Sequence, residues 1–332
     1  MRRTEELPGH IGARFSVRDA LRAGVSPERL RRDDLARPFP GVRMRVPAGP
    51  STTGGGATDS PPRDLYARQT GERLSRIRAY APRLRPGQFL SHESAAALWG
   101  APLPLVLRDG VPVDGGTLPV HVSTFGTASL VRTSGVRAHR ARIETTAVHM
   151  LDGVCVSSPA STWASLGTLP LVDLVALGDH LCRVWRRGPG RPQPDRPALT
   201  TVEELRHVIA SGRRVGVGRL REAVELVRED SWSPRESALR CRIVLAGLPE
   251  PELNHDVYDA SGRFLACVDL AYPSRRIAVE YHGVVHHSSY AQDVERIARL
   301  RAAGWIVIEV TASLFADDDE LIRRIRSALR TG

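Results

Sequence analysis

The residues of this sequence best suited to chemistry lie in one short segment near its carboxyl end. The stretch VDLAYPSRRIAVEYHGVVHH, residues 268–287, reads as two strands joined by a tight turn. It holds Asp269 in the first strand, Glu280 and His282 in the second, and a closing pair of histidines. Carboxylates and imidazoles hold metal ions and move protons in enzymes. The hairpin therefore carries either a functional site or ordinary polar residues that face solvent.

The alternation of side chains along a strand sorts these residues into two faces. Glu280 and His282 share one face of the second strand, and Ile277, Val279 and Tyr281 share the other. The short turn pairs the two strands antiparallel. The aspartate of the first strand is therefore expected on the side of Glu280.

Two carboxylates on one face repel each other and lose hydration. A sheet rarely holds such a pair without a cation to compensate the two charges. An oxygen-rich site with two acids suits Mg²⁺ or Mn²⁺. A metal held by Asp269 and Glu280 could orient a water molecule and stabilise charge on a phosphodiester. His282 is placed to help deprotonate that water, and His286 and His287 could reach the same pocket.

The segments around the hairpin predict the scaffold that positions it. A helical segment, SPRESALRCRIVLAGLPEPE, comes before the strands, and a second helix, AQDVERIARLRAAG, ends at Gly304. The apolar run WIVIEVT is typical of a buried strand. The last helix opens on DDDE and has arginine toward its end, which matches the helix dipole. The order α-β-β-β-α-β-α predicts an α/β/α sandwich around a mixed sheet.

The composition favours an anionic partner. The chain has 332 residues, a formal net charge of +10 and 47 cationic side chains, all of them arginine. Guanidinium groups bind phosphate through a flat bidentate fork. This excess of positive charge predicts a nucleic-acid partner, and DNA is the simplest one. The hydrophobic content of 42% is that of a soluble chain that buries real cores.

Other classes of protein are disfavoured. The four cysteines include no closely spaced ligand pair, so we expect buried thiols in a reducing compartment. The amino-terminal residues lack the apolar core of a signal peptide. No run reaches the roughly 18 apolar residues of a membrane helix. We expect a cytoplasmic protein with no membrane partner and no nucleotide cofactor, because no cofactor fingerprint occurs.

Two linker-like segments divide the chain. Residues 48–63 are rich in Gly, Ser, Thr and Pro, and residues 186–200 are rich in Pro and Gly. They delimit a head (1–47), a middle module (64–185) and a C-terminal domain (201–332). The oligomeric state is left open, with a homodimer among the alternatives.

The head has the layout of a winged helix-turn-helix. Ser16 can cap a first helix that Gly24 ends, and Ser26 can cap a second helix before the alternating strand GVRMRV. Such a unit lays its second helix in the major groove of DNA while arginines contact phosphates. The expected DNA-binding side chains on the outer side of this helix are Arg29, Arg31 and Arg32. The alternative is a plain helical hairpin with a solvated charged face.

The middle module combines helical segments with short strands, which predicts an α+β unit. Its histidines are scattered and show no ligand spacing. We expect them to be surface or capping residues. They are His92, His121, His139, His149 and His180.

The residues from Gly212 onward resemble the very-short-patch-repair (Vsr) endonuclease-like domains of the PD-(D/E)xK superfamily. Several spaced elements carry this resemblance, and WIVIEVT matches the last core strand of that family. The matching residues are Glu236 in SPRES, Asp269 in VDLAYP, Glu280-Tyr281-His282-Gly283, His287, and Asp293 with Arg296.

The resemblance implies a restriction-endonuclease-like fold and a nuclease that uses Mg²⁺ or Mn²⁺. Asp269 would be the principal metal ligand and Glu280 the second acid. His282 would occupy the position where the motif usually has lysine, which this chain lacks. His287 would lie near the scissile phosphate, and Glu236 would assist the metal or the water.

The head and middle module resemble AbiEi-type antitoxins and transcriptional regulators, which begin with a winged helix. The matching stretches are FSVRDALRAGVSPERLRR, LSHESAAALWG and VSSPASTWASL. The leading hypothesis is therefore a multidomain α/β, DNA-binding, metal-dependent endonuclease. The alternatives are a non-cleaving, antitoxin-like repressor and a nuclease that acts on RNA.

Overall fold

The helices and strands of this protein group into two units. A computed structural model describes residues 6–46, 64–189, 191, 194–282 and 290–331. The units are Met1–Leu166 and Gly167–Gly332, and both are mixed α/β. Within the described residues, no helix combines the length and apolar character needed to cross a membrane.

The first unit contains four helices and ten strands within the described residues. The helices are α1 (Val17–Arg22), α2 (Leu65–Tyr80), α3 (His92–Leu98) and α4 (Pro159–Ser165). The strands are β1 (Arg14–Ser16), β2 (Leu35–Ala36), β3 (Val42–Arg45), β4 (Gln88–Leu90), β5 (Leu107–Arg108), β6 (Val111–Pro112), β7 (Val120–Phe125), β8 (Val136–Ala141), β9 (Val148–Leu151) and β10 (Val154–Ser157).

The head is a small antiparallel sheet, ordered β1-β3-β2, packed against α1. Ser16 caps α1 as predicted, because its side chain accepts a hydrogen bond from the Asp19 amide. The predicted second helix is only a 3₁₀ turn, Arg29–Arg31. So few residues make too few backbone hydrogen bonds to offset the cost of helix nucleation.

The structure also corrects the placement of Arg29. Its side chain is 5% exposed, and its two terminal nitrogens donate to the Asp34 carboxylate at 2.9 and 2.6 Å. A long cationic side chain buried in this way needs such a partner. Arg29 therefore ties the turn to the start of β2, while Arg31 and Arg32 are exposed.

The rest of the first unit is built on a five-stranded mixed sheet, ordered β8-β7-β4-β10-β9. β7 runs parallel to β8 and antiparallel to β4, and β4 runs parallel to β10. Strand β4 leads directly into α3, which packs on β7. This module was predicted as α+β, and the mixed sheet with its helices is consistent with that class.

The second unit contains seven helices and four strands within the described residues. The helices are α5 (Leu171–Cys182), α6 (Val202–Ala210), α7 (Val217–Leu226), α8 (Pro234–Leu245), α9 (Tyr290–Ala302), α10 (Ala312–Phe315) and α11 (Asp318–Thr331). The strands are β11 (Glu252–Tyr258), β12 (Phe264–Tyr272), β13 (Ile277–Tyr281) and β14 (Ile306–Val310).

The boundary between the units differs from the predicted one. The sequence placed it in the Pro- and Gly-rich segment 186–200, but the first compact unit ends at Leu166 and the second begins at Gly167. Helix α5 packs against α7 and α8, so it belongs to the second unit. Composition marks where the chain cannot form regular structure, whereas a boundary depends on which helices share a core.

The sheet of the second unit is mixed, in the order β11-β12-β13-β14. The first three strands are antiparallel neighbours, and β13 pairs parallel with β14 through the crossover helix α9. Leu239 of α8 and Ile325 of α11 pack on one face of the sheet with Val279. Leu300 of α9 packs on the other face with Ala278. The element order and the helices on both faces agree with the predicted sandwich.

Candidate carboxylate site in the second unit

A row of polar residues crosses all four strands of this sheet. Leu270 of β12 pairs with Val279 of β13, so Asp269 and Glu280 stand opposite each other one residue further along. Glu280 in turn pairs with Glu309 of β14. Because residues opposite each other in a sheet project to the same face, the two acids of the hairpin lie on one side. This is the arrangement that alternation predicted.

Asp269 accepts a hydrogen bond at the end of the neighbouring strand. One of its carboxylate oxygens, Oδ2, lies 2.8 Å from the Tyr281 backbone nitrogen, which donates to it. The residue is only partly exposed. Burial raises the pKa of Asp269, and this hydrogen bond and the charge of Arg296 oppose that rise. Its carboxylate is thus fixed in place and poorly hydrated.

Glu280 is the more deeply buried of the two acids, with 3% of its surface exposed. Arg296 of α9 donates from Nη1 to its Oε2 at 2.9 Å. The other oxygen, Oε1, is buried and has no hydrogen-bond partner among the described residues. Burial and the charge of Asp269 raise the pKa of Glu280 to about 7. One lone-pair face of this carboxylate is therefore available to a proton or a cation.

Glu236 joins the two strand acids from the first turn of α8. Its Oε2 accepts from the Trp232 amide at 2.8 Å and from Nδ2 of Asn254 at 2.9 Å. Ser233 caps the helix by accepting a hydrogen bond from the Glu236 amide. Burial, followed by the charge of Asp269, raises the pKa of Glu236 to about 7. The charge of Asp269 thus reaches both glutamates, which places three carboxylates in one electrostatic cluster.

His282 lies immediately after β13, and its backbone nitrogen donates to the Val310 carbonyl at 2.9 Å. Its Nε2 is buried, makes no hydrogen bond among the described residues, and lies 3.9 Å from Oε2 of Glu309. Its charge also acts on Asp269. The His282 ring therefore lies near Glu309, at the β14 end of the polar row.

Some of the expected residues cannot be placed. Gly283, His286 and His287 lie outside the described residues. Asp293 on α9 lies 3.8 Å from Nη2 of Arg296 and adds negative charge near Glu280. The structure thus brings together Glu236, Asp269, Glu280 and His282, with Arg296 beside them.

The chemistry of this donor set fits a hard divalent cation. Three carboxylates are held near one another, two of them with pKa values near 7, so they cannot all ionise without a compensating charge. Arg296 supplies one positive charge, and Oε1 of Glu280 has no hydrogen-bond partner within the part of the chain that the structure describes. Oxygen donors with open positions are what Mg²⁺ and Mn²⁺ prefer.

Sequence reasoning missed two members of the polar row. Asn254 lies between the β11 partners of Leu270 and Val268, so it stands opposite Asp269, and it has a φ of +49°. Glu309 lies opposite Glu280 on β14 and pairs with Arg301 at 2.7 Å. Asn254 could have indicated an irregular position in this strand, because asparagine adopts the left-handed conformation more readily than most residues. Glu309 gave no signal beyond a polar residue inside an apolar run.

An open cavity of about 680 Å³ borders Asn254 on the β11 side of this unit. Three arginines line it, and each forms an ion pair with a carboxylate of the same lining. The pairs are Arg186–Asp230, Arg191–Asp256 and Arg228–Glu250. Because these charges compensate one another, the cavity has no evident preference for an anionic ligand, and we do not assign it to the site.

The fold and the site define a mixed α/β protein of two units, with a buried carboxylate cluster in the second. No family model matches the chain, and no solved structure matches it significantly. Two proteins of Mycobacterium tuberculosis, Uncharacterized protein Rv2248 (strain H37Rv) and Uncharacterized protein MT2308 (strain CDC 1551), are each 31% identical to it over 191 residues. The match covers 50% of this chain and 67% of each relative. The chain therefore belongs to the family of these mycobacterial proteins.

Proposed function

We propose that the second unit is a restriction-endonuclease-like domain that hydrolyses DNA phosphodiester bonds with Mg²⁺ or Mn²⁺. The observation that carries this proposal is the placement of Asp269 and Glu280 opposite each other on one face, with Glu236 beside them. A structural role alone gives no reason to bury three acids together, because each loses hydration and repels the others. A metal-dependent hydrolase gives such an arrangement a function, because the bound cation compensates the carboxylate charges.

In this proposal each side chain has a separate task. Asp269 and Glu280 would hold the metal, which when bound supplies a more acidic water and positive charge next to the phosphate. Glu236, whose pKa is near 7, can accept a proton from the attacking water. Arg296 orients Glu280 through its hydrogen bond. His282 would take the place of the motif lysine. Its Nε2, which makes no hydrogen bond to any residue that the structure describes, would provide a proton donor or acceptor at the rim of the site.

The decisive assay incubates the purified full chain with DNA and either Mg²⁺ or Mn²⁺. Supercoiled, linear duplex and single-stranded DNA, with RNA as a fourth substrate, are compared with and without chelator. We expect metal-dependent nicking of at least one DNA form. Cleavage of RNA alone would replace DNA by RNA as the substrate, and no cleavage of any substrate with either metal would refute the nuclease proposal.

A second candidate function is supported by one contact. Arg296 places a cation 2.9 Å from the second acid, where a metal would bring its own positive charge. In a non-cleaving, antitoxin-like repressor this ion pair would neutralise a vestigial site. That candidate predicts sequence-specific DNA binding with no metal-dependent cleavage, so the same assay separates the two.

For either candidate we propose that the head binds DNA phosphates through its exposed arginines, as a reduced form of a winged helix. Arg31 and Arg32 are exposed at the 3₁₀ turn, so Arg31→Ala combined with Arg32→Ala should weaken DNA binding. The plot of log affinity against log salt concentration has a negative slope, and its magnitude should decrease by about 2, close to one per lost phosphate contact. Fluorescence anisotropy at several salt concentrations measures this slope.

Arg323→Ala is the matched control, because Arg323 is an exposed arginine of α11 that pairs with Glu320. The variant Arg323→Ala should bind DNA with the affinity and the salt dependence of the wild type. Arg29→Ala is a different perturbation, since it would leave Asp34 without its partner and loosen the head. An unchanged salt slope in the double variant would exclude this turn from the DNA interface.

A further inference from the structure

A second group of ligating side chains lies in the first unit and shares no residue with the carboxylate site. It consists of His92 at the start of α3, His121 on β7 and His139 on β8. One nitrogen atom from each ring lies within 4.8 Å of the others. Their spacing in the sequence did not predict this cluster. They were expected to be surface or capping residues, whereas His121 is buried, with 4% of its surface exposed.

The topology of the sheet explains why they meet. In the parallel pair β7 and β8, Ser123 lies opposite His139, and His121 is two residues from Ser123, so all three project to the same face. Helix α3 covers this face, and its Ser94 hydroxyl accepts a hydrogen bond from the His121 backbone nitrogen at 2.8 Å. The first residue of that helix, His92, is thereby held against the two strand histidines.

Two distances between donor atoms are a little shorter than those between the ligands of a bound metal. Nδ1 of His121 lies 3.0 Å from Nε2 of His139 and 2.9 Å from Oε2 of Glu93. Ligands about 2.0–2.1 Å from a tetrahedral zinc ion are roughly 3.3 Å apart. An ion would replace the hydrogen bond between His121 and His139. The ring of His139 is stacked at 17–18° to the other two rings, so the rings would rotate to aim their nitrogens at the ion.

His121 and His139 hydrogen-bond each other, and Nδ1 of His92 lies 2.9 Å from Oγ of Ser91. Two further observations nevertheless set this cluster apart. Oε2 of Glu93 is buried, and although it lies close to the His121 ring it is not aligned to accept a hydrogen bond. His92 has a φ of +51°, a left-handed conformation that is unfavourable for a non-glycine residue. Such strain persists where the surrounding structure requires a particular placement. Here it directs the His92 ring onto His139, with ring centroids 3.7 Å apart.

We infer that His92, His121 and His139, with Glu93 as a fourth donor, form a binding site for a divalent transition-metal ion, with Zn²⁺ as the best fit. Three imidazole nitrogens and one carboxylate oxygen are common zinc ligands, and zinc accepts the tetrahedral arrangement that four such donors give. A set of four protein donors leaves no open position, which is typical of a structural site. The ion would fasten α3 to the pair β7 and β8.

The test measures Zn²⁺ binding to the chelator-treated full chain by competition with a chromophoric chelator. The wild type should bind one more equivalent of Zn²⁺ than His92→Ala combined with His139→Ala. That difference isolates this site from any ion held by the acids of the second unit. The single variant His139→Ala should lower the affinity more than about 100-fold, since loss of an outer partner alone costs about 10–100-fold.

His149→Ala is the matched control, because His149 is an exposed histidine of β9 in the same unit. It should bind Zn²⁺ as the wild type does. With Co²⁺ as the probe, the wild type and the control should show the absorption bands of a tetrahedral ion, and the double variant should lack them. Zn²⁺ should also raise the melting temperature of the wild type but not that of the double variant. Equal Zn²⁺ stoichiometry in the wild type and a folded double variant, as judged by circular dichroism, would overturn the inference.

Discussion

Asp269→Ala is expected to reduce Mg²⁺-dependent DNA cleavage by about a thousandfold or more, while DNA binding by the head is retained. Stabilisation of the transition state by a bound metal is worth several kcal/mol, and each 1.36 kcal/mol corresponds to about a factor of ten in rate. Because Asp269 is the proposed principal ligand, its loss should remove most of that stabilisation. Initial rates of nicking measure the effect, and fluorescence anisotropy measures binding.

Asp269→Asn separates the chemical role from the structural one. The amide oxygen can still accept the hydrogen bond from the Tyr281 nitrogen, whereas the negative charge is lost. Its cleavage rate should therefore fall nearly as far as that of the alanine variant, with less effect on stability. Asp319→Asn is the control, because Asp319 is an exposed acid in the first turn of α11. Nicking at the wild-type rate by Asp269→Asn would show that this carboxylate does not hold the metal.

A second large effect is expected at a buried ion pair that joins two helices of the second unit. Arg240 of α8 is 0% exposed and Asp179 of α5 is 1% exposed, with Nη2 of the arginine 3.3 Å from Oδ2 of the aspartate. Nη1 of Arg240 also lies 2.9 Å from Oε1 of Glu250, and Oδ1 of Asp179 accepts from the Arg228 amide at 2.7 Å. The pair thus anchors α5 in the core of this unit.

Asp179→Ala should lower the free energy of unfolding by about 3–5 kcal/mol, since breaking a buried ion pair is strongly destabilising and Arg240 would keep only the partly exposed Glu250 as an acidic partner. Burial already raises the pKa of Asp179 to about 6 in spite of Arg240, so the site penalises charge. Urea unfolding followed by circular dichroism measures the loss. Faster hydrogen exchange of the α8 amides would show that this loss of stability arises in the second unit.

The exposed pair Arg206–Glu225 in the same unit provides the control, with a separation of 3.3 Å. Arg206→Ala should cost less than about 1 kcal/mol, because water screens exposed ion pairs. Asp179→Leu combined with Arg240→Met should cost less than Asp179→Ala, since no buried charge is left without a partner. A cost for Asp179→Ala as small as that for Arg206→Ala would mean that α5 is not held by this pair.

The hairpin shows how far local pattern alone can lead. The period of two along a strand separated Ile277, Val279 and Tyr281 from Glu280. The structure buries Ile277 and Val279 beside Leu270 and α8, and Tyr281 packs against them partly buried. The short turn then implied that the two strands pair antiparallel. Asp269 was therefore expected on the same face of the sheet as Glu280. Both inferences use only neighbouring residues, and a one-residue error would have exposed the whole apolar set.

Contacts between residues that are distant in the sequence were harder to predict. The sequence suggested Glu236 only through resemblance, and its hydrogen bond to Asn254 joins α8 to β11 across a connection that no periodicity describes. The case of Arg29 is similar, because a basic residue after a helix cap is normally exposed. Its burial depends on Asp34, whose position follows from the chain turning into β2.

The sequence by itself therefore determined the order of elements in the second unit, the two faces of its hairpin and the presence of acids on one of them. Those properties arise from side-chain period, capping and turn chemistry, which act over a few residues. Only the tertiary structure decided that α5 belongs with α8, that Arg29 points inward, and that three histidines from α3, β7 and β8 converge. Each of these depends on long-range packing, since burial energy and electrostatic partners are set by which segments meet in space.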